Sequence, residues 1–346
     1  MNGLDLNIQN DGIGVVGAGS WGTAIADLLA TKGYKTDLWV YETEIVEQIL
    51  KHRENKIFLP GFTLSKNISP TNSLEKVVRN KNLVVIVVPS HLVRSIAVQI
   101  KDFISEKTVI VSASKGIENK THLTMSGVLL ETIPRLTDQS VAVLSGPTFA
   151  REVAAKVPTV VTVASRNIDA AGMVQQVFAA PHFRVYTNND VIGVELGGSV
   201  KNVIAIAAGI VDGLNLGLNT RAALITRGMM EIRRLGVKLG AVPRTFTGLA
   251  GIGDLILTCT GDLSRNHTVG KKIGQGLKLS EILDQMRMVA EGVKTAKSVY
   301  NLSRKLGVEM PICHATYHVL YDDLPPTQAL YQLMTRDLRH ELDDEY

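Results

Sequence analysis

The chain has 346 residues, 45% of them hydrophobic and 20% charged, an ordinary globular composition with enough length for two domains. Its net charge of +4 is too small, and its lysines and arginines too scattered, to point to nucleic acid, although a slight positive excess suits a small anionic metabolite. Cys259 and Cys313 are the only cysteines; they cannot build a disulfide framework and fit no zinc spacing, so both read as reduced thiols of a cytoplasmic protein.

The opening MNGLDLNIQNDG has no basic start and no apolar run, and does not read as a signal peptide. Ile13 to Val16 then reads as a strand and about Ser20 to Thr31 as a helix. A strand at Lys35 to Val40 and a helix from about Thr43 to His52 follow. Leu83 to Val88 is an uninterrupted apolar run stopped by Pro89, the pattern of a strand buried on both faces of a parallel sheet. Next come a helix from about His91 to Phe103 and strands at Thr108 to Ser112, Val141 to Leu144 and Thr159 to Val163. This alternation predicts a doubly wound α/β domain. Near residue 190 the pattern changes: Asn188, Asn189 and Asp190 supply capping groups for a long apolar helix to about Val211, and helical periodicity runs on to about residue 340. The reading is therefore an α/β domain over 1–188 and an all-α domain over 189–346. The strongest apolar stretch, Val203 to Val211, is far shorter than the roughly 20 residues a bilayer span needs, so no membrane insertion is expected.

Gly17-Ala18-Gly19-Ser20-Trp21-Gly22 is a GxGxxG motif, and its placement between a strand and a helix is the context a dinucleotide fingerprint requires. Gly17 permits the tight turn, Gly19 lets backbone approach a pyrophosphate, and Gly22 lets helix and strand lie close, so the domain reads as a Rossmann fold. The helix N-terminus adds unpaired N–H groups and partial positive charge. The bland alternative is a glycine turn in another α/β protein. About 20 residues on, Trp39-Val40-Tyr41-Glu42 closes the second strand. Glu42 suits a ribose 2′-hydroxyl, favouring NAD, or simply caps the next helix; NAD and NADP both stay open.

In the helical half, Lys201 stands among Gly197, Gly198, Ala205 and Ala208 at helical spacing, an apolar face that would desolvate it and lower its pKa toward that of a proton donor. A lysine snorkelling to water fits the same periodicity. Lys115 follows the strand ending at Ser112, where open α/β sheets bind ligands, but an ordinary loop lysine looks no different. Asp254, after a glycine-rich stretch, reads equally as a helix N-cap or as a carboxylate partner of substrate or Lys201. Ser264-Arg265-Asn266 offers a cap, a planar guanidinium fork and a neutral donor for phosphate, or a solvated turn. His314 and His318 have the i,i+4 spacing of a zinc pair, but apart from Cys313 no third ligand is apparent, and no metal is assigned.

From about Gly12 to about Arg336 the sequence resembles the NAD(P)-dependent glycerol-3-phosphate dehydrogenase family of bacteria. The resemblance rests on GAGSWGTA at 17–24, SASKGIE at 112–118, LSGPTFAREV at 144–153, GVELGGSVKNVIAIAAGI at 193–210, GLAGIGDLILTCTGDLSRN at 248–266, VAEGVKT at 289–295 and MPICHATYHVL at 310–320. It implies reversible hydride transfer between NADH or NADPH and dihydroxyacetone phosphate, giving glycerol 3-phosphate for phospholipid synthesis. It implies Lys201 as proton donor and acceptor, and Lys115, Gly146, Thr148, Asp254, Ser264, Arg265 and Asn266 at the substrate. At the cofactor it implies Gly17, Gly19, Ser20, Trp21, Gly22, Tyr41, Lys115, Ala150, Arg265, Val289 and Glu291; by pattern alone Glu291 passes for a helix-cap acid. A homodimer through the helical domain is expected, and no protein partner is visible. The other readings are a related hydroxy-acid dehydrogenase and a non-catalytic NAD(H) sensor, which would need neither Lys201 nor a second anion site.

Overall fold

In the computed structural model, which describes residues 12–286, 290–338 and 340–341, the chain divides into two compact units. The first runs through Ser114 and resumes over Met125–Val191; the second joins Lys115–Thr124 to the chain from Ile192 onward. A single boundary between 188 and 189 does not describe that excursion.

The first unit is built on eight strands: β1 (Ile13–Val16), β2 (Thr36–Trp39), β3 (Ile68–Thr71), β4 (Leu83–Ile86), β5 (Val109–Ser112), β6 (Val141–Ser145), β7 (Thr159–Ser165) and β8 (Phe183–Asn188). They form one sheet in the order β3-β2-β1-β4-β5-β6-β7-β8, parallel except where β6 meets β7. Every residue of β1, β4 and β5 is buried, because helices cover both faces of a parallel sheet and leave no polar side. Those helices are α1 (Ser20–Thr31), α2 (Thr43–His52), α3 (Leu74–Val78), α4 (Val93–Ile100), α5 (Met125–Thr132), α6 (Ala150–Ala154) and α7 (Ile168–Phe178).

Two strands lie outside the sequence expectation, and both are sheet edges. β3 reads Ile-Ser-Pro-Thr; Pro70 lacks a ladder donor, which is tolerable because β3 pairs with β2 alone. β8 buries Phe183 and Val185 while Arg184 and Tyr186 face out, so it carries only a short alternation. The apolar run from Leu83 leaves the ladder after Ile86, and a short 3-10 turn, Ser90–Leu92, precedes α4, so that helix starts later than expected.

The second unit is helical: α8 (Val191–Gly213), α9 (Gly217–Lys238), α10 (Asp254–Thr260), α11 (Arg265–Gly274), α12 (Leu279–Asp284), α13 (Glu291–Leu306), α14 (Pro311–Tyr321) and α15 (Pro326–Met334). α8 is its axis, with every residue from Gly193 to Val211 buried. By length and composition α8 matches a membrane span, since the apolar helix is longer than the stretch Val203 to Val211 on its own. However, 89% of its most apolar window is buried inside the protein, as befits a core helix. Each fully buried Val, Ile or Leu along it contributes about 1.5–3 kcal/mol of transfer free energy.

The close approach that builds the site is made at Gly197. A Cβ there would collide with the Ala250 carbonyl oxygen, so only glycine lets the turn Leu249–Gly253 rest directly on α8. That turn is one stretch of π-helix, and it delivers Asp254, the first residue of α10, beside the α8 turn that carries Lys201. Elsewhere in the unit, Glu231 of α9 accepts from the Ile312 and Cys313 amides at 2.6 and 3.0 Å, capping α14 with its carboxyl group.

Candidate active site

In the first unit the glycine motif forms the turn between β1 and α1. Gly17 has φ +120°, a conformation open only to glycine, and a Cβ on Gly22 would collide with the Gly17 carbonyl oxygen. These two glycines are demanded by the protein's own packing. Gly19 is not: its φ and ψ of −65° and −179° suit any residue, and nothing lies within 4 Å of where its Cβ would be. As N-cap of α1 it offers no side chain to the helix, and the first turn carries no acidic residue. A bare, uncapped helix N-terminus facing open space is what a pyrophosphate fits, so the residues present suit a dinucleotide. Ser20, Trp21 and Gly22 make up the first turn of α1.

Tyr41 is 77% exposed past the end of β2, and Glu42 stands at the N-cap position of α2 without capping it. That removes the capping explanation for Glu42 and leaves its carboxylate at the strand end. Gly146, Thr148 and Ala150 follow β6. Gly146 has φ +144°, the Thr148 hydroxyl donates to the Gly146 carbonyl at 3.1 Å, and Ala150 begins α6, which packs on α1.

In the second unit three of the expected residues meet directly. The Asp254 carboxylate, fully buried, accepts from Lys201 Nζ on one oxygen and from Lys115 Nζ at 2.7 Å on the other. Asp254 caps nothing; the N-cap of α10 is Gly253. Lys201 also donates to Thr258 Oγ1 at 2.8 Å, and the Thr258 hydroxyl donates to the Asp254 carbonyl at 2.6 Å. Lys201 does not snorkel: its side chain is 7% exposed, against 18% for Lys115. Burial drives its pKa down to about 7; Asp254 pulls it up and Lys115 pushes it down. With both lysines protonated, the cluster carries one net positive charge.

Lys115 reaches this cluster because its segment belongs to the helical unit. The Ser199 hydroxyl of α8 accepts from the Gly116 amide at 2.8 Å, and Ser298 of α13 donates to the Ile117 carbonyl at 2.7 Å. Ile117 is buried in the helical core.

Asn202, next to Lys201, opens a second branch. Its Oδ1 accepts from Asn266 Nδ2 at 2.9 Å, and Asn266 Oδ1 accepts from the Gly292 amide at 2.9 Å. Asn266 is thus a buried tie between α8, α11 and the start of α13. Ser264 caps α11, accepting from the His267 amide at 3.2 Å. Arg265 opens the helix, exposed, within the field of Glu291, the first residue of α13. Val289 lies outside the described residues. Further along, His267 Nε2 pairs with Asp212 at 2.8 Å, which also holds Arg221 at 2.9 Å.

Thr258 and Asn202 escaped the sequence reading. Thr258 follows Asp254 by four residues, one helical turn, which is a usable signal; Asn202 has none beyond its place after Lys201. Burial pushes the Cys259 thiol up to about 12 and holds the Cys313 thiol well above its ordinary value, so neither offers a thiolate. His314 is bonded to Ser303 at 2.7 Å and His318 to Asp322 at 2.6 Å. Among the described residues no group of three His, Cys, Asp or Glu is placed to hold a metal ion.

Comparison with known proteins covers nearly the whole chain. The family profile for the N-terminus of NAD-dependent glycerol-3-phosphate dehydrogenase matches residues 12–171, and that for the C-terminus matches residues 190–331. A glycerol-3-phosphate dehydrogenase (NAD(P)+) of Syntrophobacter fumaroxidans is 56% identical over 331 residues, covering 96% of this chain and 97% of that protein. One from Geobacter sulfurreducens is 55% identical over 333 residues, covering 96% and 99%. The solved structure of a glycerol-3-phosphate dehydrogenase from Coxiella burnetii has 40% identity and a TM-score of 0.90, covering 94% of this chain and 98% of that one. Fold, family profiles and relatives agree, and the chain belongs to the NAD-dependent glycerol-3-phosphate dehydrogenase family.

Proposed function

We propose that this chain reversibly reduces dihydroxyacetone phosphate to sn-glycerol 3-phosphate with NADH or NADPH, supplying glycerophospholipid synthesis. The observation that carries the chemistry is Lys201, buried, bonded to Asp254 and Thr258, with a pKa lowered to about 7. An ammonium has three donors. Two are committed to Asp254 and Thr258, which leaves the third for a substrate oxygen.

Negative charge develops on the C2 oxygen as the carbonyl is reduced, and a positioned acid must supply a proton. Protonated Lys201 gives that proton, and neutral Lys201 takes it back in the reverse direction. Asp254 fixes the direction of the Nζ, and Lys115, held by the same carboxylate, adds a second cation that stabilises the oxyanion. Ser264, Arg265 and Asn266 receive the substrate phosphate, the guanidinium supplying the charge and the start of α11 the amides. Gly146 and Thr148 contribute backbone and hydroxyl contacts. When bound, the nicotinamide supplies or removes the hydride. Gly17, Gly19, Ser20, Trp21 and Gly22 would hold its pyrophosphate and Tyr41 the adenosine end, with Lys115, Ala150, Arg265, Val289 and Glu291 completing the cofactor contacts.

We also place the protein in the cytoplasm as a homodimer. Two free, buried cysteines support the first. Exposed apolar side chains on and after α15, among them Tyr331, Met334 and Leu338, support the second.

The test is absorbance at the reduced-nicotinamide band, with NADH and NADPH supplied separately. Prompt oxidation on adding dihydroxyacetone phosphate is expected. No oxidation from protein that binds cofactor, or oxidation only with an unphosphorylated 2-keto acid, would overturn the substrate assignment.

A further inference from the structure

Asn55 lies just past α2 and is fully buried. Its Nδ2 donates to the Ala18 carbonyl and to Thr23 Oγ1, both at 2.9 Å, while its Oδ1 accepts from the Phe58 amide at 3.1 Å. The amide orientation is fixed by that last bond, since an N–H can meet only the oxygen end. Thr23 Oγ1 in turn donates to the same Ala18 carbonyl at 3.1 Å. One carbonyl in the middle of the glycine turn is therefore held by two buried side chains. The 55–58 segment is stitched to the motif a second time where Ser20 Oγ donates to the Phe58 carbonyl at 2.6 Å.

The consequence follows from peptide geometry. The Ala18 carbonyl and the Gly19 N–H share one planar trans peptide, so they point in opposite directions. Anchoring the carbonyl inward aims the Gly19 amide outward. Gly19 cannot do this for itself: it has no side chain, and no protein atom stands within 4 Å on the side where a Cβ would be. An amide meant for a phosphate is worth most when its direction is set before the ligand arrives.

We propose that Asn55, seconded by Thr23, is a positioning residue that presets the Gly19 amide for the cofactor's pyrophosphate. The proposal rests on the dinucleotide reading of this turn. Calorimetric titration of the intact protein with ADP-ribose and with adenosine, which lacks the phosphates, separates aim from general damage. Asn55→Ala weakens ADP-ribose by roughly tenfold, the loss of one charge-assisted hydrogen bond, and leaves adenosine within about twofold. Thr23→Val, which loses the Asn55–Thr23 bond but keeps the Asn55 bond to the Ala18 carbonyl, gives a smaller loss in the same sense, and Thr23→Ser, which retains the hydroxyl, matches the parent. If Asn55→Ala does not fold, the Thr23 pair decides. ADP-ribose affinity unchanged in Asn55→Ala and Thr23→Val, or both ligands weakened alike, overturns the proposal. A parent protein that binds no ADP-ribose overturns the dinucleotide reading itself, and the proposal with it.

Discussion

The glycine turn at Gly17–Gly22 and the lysine pair around Asp254, both of which we propose meet negative charge, are made of different materials. The turn works through backbone: amides at a helix N-terminus, no ionisable side chain, and glycines where a Cβ would collide or block. The lysine cluster works through buried side chains whose charge depends on one another, since Asp254 and Lys115 pull the Lys201 pKa in opposite directions. A fixed dipole suits a ligand that keeps its charge, as a pyrophosphate does. A titrating ammonium suits a step in which a proton must move.

That contrast can be broken or sharpened by substitution. Lys201→Ala carries the largest expected effect: turnover with dihydroxyacetone phosphate falls by about 10²–10⁴-fold, the span of a lost general acid, while cofactor binding, followed by NADH fluorescence, stays within about twofold. Loss of both together would mean that the sites are not separable. The two glycines come next. Gly22→Ala places a methyl group against the Gly17 carbonyl oxygen and costs about 3 kcal/mol in denaturant unfolding, at the upper end of overpacking. Gly19→Ala has room and an ordinary φ, so stability changes by less than about 0.5 kcal/mol, yet NADH binding weakens because the methyl group occupies the ligand's side of the turn. Equal destabilisation by the two would erase the distinction between a packing glycine and a ligand glycine. Ser264→Ala removes the α11 cap and lowers stability by about 1 kcal/mol in thermal unfolding.

The same contrast governs what could be read from sequence. The turn is local: six consecutive residues between an apolar strand and a helix, each glycine with its own reason, so spacing alone exposes it. Lys201 and Asp254 are 53 positions apart, and Lys115 and Asp254 139 apart, so no periodicity could bring them together. The residue pattern allowed Asp254 as a partner of Lys201 only alongside a capping role, and resemblance alone put Lys115 with them. The physical cause of their meeting, the glycine contact of α8 with the 249–253 turn, is a tertiary fact. Lys115 reads as the end of a sheet strand, although Ser199 and Ser298 hold its neighbours in the helical unit. The strands that went unread, β3 and β8, are edges with a proline or a short half-buried alternation, where the apolar signal of a central strand fades.

The central claim is that Lys201 carries the proton at a pKa set by burial and by Asp254, and the pH profile of kcat/KM for dihydroxyacetone phosphate reduction tests it most directly. Reduction needs the protonated lysine, so the rate should be high below pH about 7 and fall as pH rises through that value. Asp254 holds the Lys201 pKa up, so Asp254→Asn should move the falling limb to lower pH; oxidation of glycerol 3-phosphate, which needs the neutral amine, should show the mirror-image rise. A reduction rate that stays level from pH about 6 to about 9, or a limb that Asp254→Asn leaves in place, would contradict the account.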